Sequence, residues 1–235
     1  MIPRLNDKPK YEMTVPSTGQ EVKFRPYLVK EEKVLMMAFE SNDQTASLNA
    51  VADTIKACTE SVDIQNLKLY DVEYMFTKIR AKSVGEVVNL QISCKKCEHK
   101  NPAAINIDNI EVNKPEVDTN IIELSDTISV EMEWPKYQKM IQNNKIINQS
   151  SEVETIIELI ADCIVYINTE SEKISVKDEP REQLMSFIES MTNDQFGKLR
   201  EYVEKMPSVE IDHAFKCTQC GEENAVKVRN ISDFF

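Results

Sequence analysis

Two C-x-x-C pairs, Cys94-Lys95-Lys96-Cys97 and Cys217-Thr218-Gln219-Cys220, constrain this chain more than any other feature. Each is followed four residues later by an asparagine, Asn101 and Asn224. Each also adjoins β-forming sequence, residues 87–92 before the first pair and residues 225–228 after the second. Two residues between cysteines let both thiolates of a tight turn face one ion, and two such turns complete the four-sulfur tetrahedron that zinc prefers. The expected cofactor is therefore one structural zinc per chain, held by Cys94, Cys97, Cys217 and Cys220. A shell filled by protein thiolates leaves no position for substrate or water, so such a zinc is not catalytic. Lys95 and Lys96 are placed to offset part of its negative charge. Zinc ribbons usually separate their halves by about 15 to 20 residues, whereas 119 residues lie between Cys97 and Cys217. If one ion joins both pairs, a large helical segment is inserted between the halves of a ribbon.

Other readings of the cysteines and histidines are weaker. A thioredoxin-like C-x-x-C opens a helix after a strand, while both pairs here fall in hairpin context. Cys58 and Cys163 lie on apolar helix faces and read as small core residues. His99 and His213 read as ordinary loop histidines, because four cysteines already complete a shell.

A length of 235 residues allows a real core, and 41% hydrophobic residues with only four glycines suit a folded, helix-rich chain. No apolar run approaches the roughly 20 residues needed to span a bilayer, and no signal peptide opens the chain, so no membrane association is expected. A cytosolic setting keeps thiols reduced, which favours metal over disulfides. The net charge of −12 argues against a nucleic-acid binder, which needs a basic surface; a protein partner fits better. No G-x-S-x-G, phosphate-binding glycine loop or nucleophile–base set is present. The expectation is no enzymatic activity and no small-molecule substrate.

Along the chain, residues 11–15 and 21–26 alternate around a Pro16-Ser17-Thr18-Gly19 turn and predict a hairpin. Helices follow from about Val29, over residues 44–59, and from Leu69 with Asp71 as cap and Val72, Met75, Phe76 and Ile79 inward. The adjacent Met36 and Met37 read as core. Residues 104–107 pair with 88–92, and residues 121–132 read as a strand pair or one long strand. A helical stretch is expected over residues 136–144. The Ser151-x-x-Glu154 capping box predicts a helix over residues 153–167. A short strand at 172–176, a helix after Pro180, a helix opened by the Thr192-x-x-Gln195 box, and a strand over 209–215 complete the series. The fold class expected is α+β, helix-rich, with a split zinc-ribbon-like pair of β-hairpins joined by a four-cysteine site. The segments are 1–107 (hairpin, helices and first zinc hairpin), 108–134 (linker and strands), 135–206 (helical insertion) and 207–235 (second zinc hairpin).

The stretch Phe24-Arg25-Pro26-Tyr27-Leu28-Val29-Lys30-Glu31-Glu32-Lys33, with residues 69–76 and 79–86, resembles the T4-type baseplate hub subunit family of contractile phage tails. The resemblance spans about residues 10–95. It implies a structural or assembly role in the tail baseplate hub, with other hub and tail proteins as partners. The implied location is the host cytoplasm during assembly and the virion tail baseplate. The motif's first segment also resembles tail assembly chaperones, so a chaperone not retained in the virion stays open, as does a zinc-ribbon nucleic-acid factor on the cysteine pattern alone. Within the signature, Arg25, Pro26, Lys30 and Glu31 are the candidate partner-binding residues. Arg25 leads because a guanidinium makes forked contacts that lysine cannot.

Overall fold

Alternation at the N-terminal end becomes an antiparallel hairpin, β1 (Tyr11–Thr14) with β2 (Glu21–Phe24), in which Met13 faces Val22 and both are buried. This is seen in a computed structural model that describes residues 8–41, 43–114, 119–139, 141 and 152–228, the side chains of residues 152 and 153 excepted. Three helices follow: α1 (Val29–Glu40), α2 (Gln44–Cys58) and α3 (Leu69–Val84). Their starts satisfy the backbone N–H groups that a first turn leaves without helical partners. Asp43 accepts from the Thr45 and Ala46 N–H groups. In α1 the Glu31 carboxylate reaches back to the Leu28 N–H at 2.8 Å. In α3, Lys68 rather than Asp71 is the cap residue. Asp71 stands one turn in, accepts from the Lys68 N–H at 2.9 Å and the Ser17 N–H at 2.8 Å, and so ties the helix to the β1–β2 turn. Gly85 ends α3 at a φ of +143°, a conformation that glycine takes without penalty.

The inward face of α3 is the expected one, with Val72, Met75, Phe76 and Ile79 fully buried. Each such side chain contributes on the order of 1.5–3 kcal/mol by leaving water. Met36 and Met37 differ from expectation: they are 57% and 61% exposed. Glu31 and Leu35, one turn apart, define the buried side of α1. The next two residues turn away by about 100° each. Cys58 is buried, as expected of a core residue. Beyond Gly85, β3 (Val87–Ser93) and β4 (Lys100–Asn106) pair antiparallel with Val88 opposite Ile105 and Ile92 opposite Asn101. A short β5 (Glu111–Asn113) follows.

Residues Lys114–Pro207 form a compact unit of their own. Its sheet is an antiparallel meander of β6 (Ile121–Glu123), β7 (Ser129–Met132), β8 (Ile164–Asn168) and β9 (Lys173–Ser175) in sequence order. Its helices are α4 (Glu152–Cys163), α5 (Arg181–Glu189) and α6 (Asn193–Glu204). Val130, Met132, Ile160, Cys163, Leu184 and Leu199 are buried together between them. The helix expected over 153–167 ends at Cys163, and the residues after it are strand. Ile164-Val165-Tyr166-Ile167 is apolar at every position, a pattern that periodicity cannot assign to buried helix or buried strand. Pairing with β7 on one side and β9 on the other decides for strand. The Thr192–Gln195 capping box forms, Thr192 accepting from the Gln195 N–H at 3.3 Å and Gln195 from the Thr192 N–H at 2.9 Å. Ser151 of the other box and the end of the stretch 136–144 lie outside the described residues.

The chain then returns to the first unit, which Met1–Asn113 shares with Ser208–Phe235. There β10 (Ser208–Lys216) pairs with β5, Ser208 opposite Asn113, and on its other edge with β11 (Glu223–Val228). Ala81, Val88, Ile105, Ile107, Val209 and Val228 pack into one core beneath these strands. The architecture is thus mixed α+β. No helix among the described residues is long and apolar enough to cross a membrane.

Candidate metal centre

The β3–β4 and β10–β11 hairpins each end in one of the cysteine turns, and the two turns meet. The Sγ atoms of Cys94, Cys97, Cys217 and Cys220 all lie within 4.8 Å of one another. Cys94 is 3.7 Å from Cys220 and Cys97 is 3.6 Å from Cys217. These are far beyond a disulfide bond. They match the edge of about 3.8 Å expected of a sulfur tetrahedron built on metal–sulfur bonds of about 2.3 Å. The donor set and its spacing fit one metal ion, and these four residues would hold it.

Local backbone geometry builds each turn the same way. The N–H of the first cysteine donates to a carbonyl five residues on, Cys94 to His99 at 2.9 Å and Cys217 to Glu222 at 2.8 Å. The first cysteine's own carbonyl accepts from the fourth residue after it, Glu98 in one turn and Gly221 in the other. That residue takes a left-handed conformation in both, φ +58° at Glu98 and +74° at Gly221. Cys94 and Cys217 are buried, while Cys97 and Cys220 are exposed.

The electrostatics follow from these contacts. The Cys97 and Lys96 N–H groups point at the Cys94 sulfur and lower its pKa, the Cys97 group contributing most. The Cys217 thiol is drawn down to about 6, first by the Cys220 N–H and, against burial, by the Gln219 N–H and the Asn101 amide. Cys97 goes the other way. The His99 N–H lowers it, but loss of water and the three neighbouring sulfurs carry it up to about 12. Thiolates this close repel one another, and a bound cation would supply the counter-charge. Of the two expected lysines, Lys96 pairs with Glu222 at 2.8 Å and Lys95 donates to the Ala225 carbonyl at 2.8 Å, so their charge is shared with the second hairpin.

Asn101 and Asn224, marked in the sequence by spacing alone, have roles that no local pattern states. Each amide reaches the opposite turn, Asn101 Nδ2 to Cys217 Sγ at 3.6 Å and Asn224 Nδ2 to Cys94 Sγ at 3.5 Å. Their shared offset from the cysteines was the available signal. His99 is exposed and takes part through its backbone, and the His213 ring stacks on Phe215 at 6.1 Å.

The candidate partner-binding residues do not gather at the cysteines. Arg25 turns inward: its guanidinium donates to the Pro26 carbonyl, the Glu31 carboxylate and the Ala57 carbonyl, each at 2.9 Å. Glu31 is buried, and Lys30 stands out in solvent with its amine 3.2 Å from Glu31.

Comparison with known proteins matches residues 8–235 to the family described as T4 bacteriophage base plate protein. A relative from Enterobacteria phage T4, the baseplate hub assembly protein gp26, is 25% identical over 227 residues, covering 96% of this chain and 98% of the relative. No solved structure is a significant match.

Proposed function

Because this chain belongs to the T4 bacteriophage base plate protein family, we propose that it is an assembly subunit of a contractile tail's baseplate hub. It acts through protein contacts, without catalysis, in the cytoplasm of the infected host. The observation that carries this reading is the near end-to-end correspondence with a protein named for baseplate hub assembly. In this reading the four cysteines bind one structural zinc, and the two hairpins are the halves of a ribbon. Residues Lys114–Pro207 are a segment inserted between those halves. The chain leaves the sheet at Asn113 and re-enters it at Ser208, its direct partner across β5 and β10, which supports an insertion. The contact face for other hub proteins is the outer side of α1, where Lys30 is flanked by exposed Val29, Val34, Met36 and Met37.

The test is affinity purification of the tagged protein from infected cells, followed by mass spectrometry and metal analysis. Hub proteins should co-purify, with about one zinc per chain. In Cys217→Ser the zinc should be lost and hub recovery should fall. Recovery of no other tail protein at any stage of infection would overturn the assembly role. Metal-free protein from reducing, chelator-free buffers would overturn the zinc.

A further inference from the structure

We infer that Asn101 and Asn224 are positioning residues, forming a reciprocal clasp that assembles the four sulfurs before any metal binds. Each asparagine belongs to one hairpin and spends its amide on the other. The Asn101 oxygen accepts from the Thr218 N–H at 2.9 Å and the Thr218 hydroxyl at 3.0 Å. The Asn224 oxygen accepts from the Lys95 N–H at 2.9 Å. Thr218 and Lys95 are the same position in the two turns, the residue after the first cysteine. Each amide nitrogen donates to the first cysteine of the opposite turn and to a carbonyl of its own turn, His99 for Asn101 and Glu222 for Asn224. A backbone N–H can only donate, so the atom facing it must be the amide oxygen. That fixes both amide orientations and aims both nitrogens at sulfur.

Burial makes the clasp obligatory. The two asparagines are 2% and 4% exposed, and a buried amide without partners is costly. Among the described residues each amide oxygen finds its backbone donor on the opposite hairpin, so closing the hairpins together is what satisfies both. The N–H···O contacts of Lys95 and Thr218 involve neither sulfur nor ion, and they hold whether or not a metal is bound. The N–H···S contacts then hold the two amide nitrogens against Cys217 and Cys94, as donors around a metal site orient its ligands. That second half of the inference rests on reading the cysteines as a metal site; the first half does not.

The test uses full-length protein, reduced and stripped of metal by a chelator. Amide hydrogen exchange is followed at Lys95 and Thr218, and zinc affinity is measured by competition with a chromophoric chelator. Both amides should be protected in the metal-free protein. Asn101→Ala should release Thr218 and leave Lys95 protected, and Asn224→Ala should do the reverse. Asn101→Asp and Asn224→Asp keep the acceptor oxygen but set a carboxylate against sulfur. They should retain amide protection yet lose roughly 10- to 100-fold in zinc affinity, and they report even where an alanine variant fails to fold. Free exchange of both amides in the metal-free wild type would overturn the clasp, and aspartate variants with zinc affinity within twofold of wild type would overturn the role of the amide nitrogens toward sulfur. Protected amides in a protein that takes up no zinc would keep the clasp and overturn the metal reading.

Discussion

Arg25 joins three parts of the chain with one side chain: the Pro26 carbonyl, the first turn of α1 through Glu31, and the end of α2 through Ala57. Glu31 is pushed up by burial, but the Arg25 guanidinium, the Leu28 N–H and the Lys30 amine more than reverse this and hold its pKa below the usual carboxylate value. An ammonium cannot make the forked contacts of a guanidinium. Arg25→Lys should therefore cost about 1–2 kcal/mol, read as a lower denaturant midpoint with an unchanged slope; an unchanged midpoint would remove Arg25 from the fold's framework. The sequence marked this residue as special without saying toward what, because an arginine reads alike whether its fork closes on a partner or on its own chain. The cysteines were legible because their chemistry is local, two thiolates on one turn. The asparagines' role depends on what lies opposite, which no local pattern contains. Glu73 left no sequence signal either: burial on α3 raises its pKa from 4.5 to about 7. Between those values the folded protein holds a proton that the unfolded chain has released, so stability falls as pH rises through that window and is level above it. Glu73→Gln should gain on the order of 1–3 kcal/mol at pH 8 and nothing at pH 4. An equal shift in melting temperature at both pH values would reject this origin.

Helix α1 shows where periodicity misleads at the level of an element. Its apolar residues do not share a side: Leu35 is buried, while Val29, Val34, Met36 and Met37 are exposed. A run such as Val34-Leu35-Met36-Met37 gives no phase, and the phase is set instead by Glu31, whose buried carboxylate caps the helix and holds Arg25. The same ambiguity hid the passage from α4 into β8, where a wholly apolar run fits either period until its neighbours are known. Elements with clean alternation or a capping box, such as β3, β10 and α6, were legible almost to the residue, whereas β4, expected over 104–107, begins four residues earlier, at Lys100. An exposed methionine pair has little to do in the isolated fold, so Met36→Glu with Met37→Glu should change stability by about 0.5 kcal/mol or less. The same pair should strip hub proteins from the purified complex. Leu35→Ala, one residue earlier, should cost about 2–5 kcal/mol. If the double variant assembles like wild type, the α1 face is not the contact surface.

For the whole molecule the question is what closes the long excursion between the cysteine pairs. Bringing together the ends of a flexible loop of 119 residues costs roughly 4 kcal/mol by the (3/2)RT ln n rule. The pairing of Asn113 with Ser208 changes that arithmetic. With β5 and β10 paired, about 25 residues remain in the ring that the cysteines close, and the cost falls to roughly 3 kcal/mol. Structural zinc contributes on the order of 10 kcal/mol in small peptides, so such an ion would have ample free energy for what is left. Residues Lys114–Pro207, meanwhile, bury an apolar core made from their own side chains. A core of its own is what a segment requires to fold without β5 or the metal. The segment should therefore be removable. An antiparallel pair ending at Asn113 and Ser208 can be closed by a two-residue type I′ turn, for which Asn-Gly is the preferred sequence. Replacing residues 114–207 by Asn-Gly should leave a chain that binds one zinc through Cys94, Cys97, Cys217 and Cys220, with affinity within a few-fold of the full protein, and that melts cooperatively. The excised 114–207 segment should show helical far-UV dichroism and a melting transition that chelator does not move. Loss of zinc binding from the shortened chain, with its cysteines reduced, would mean that the inserted residues help to build the metal centre, and the insertion model would fail.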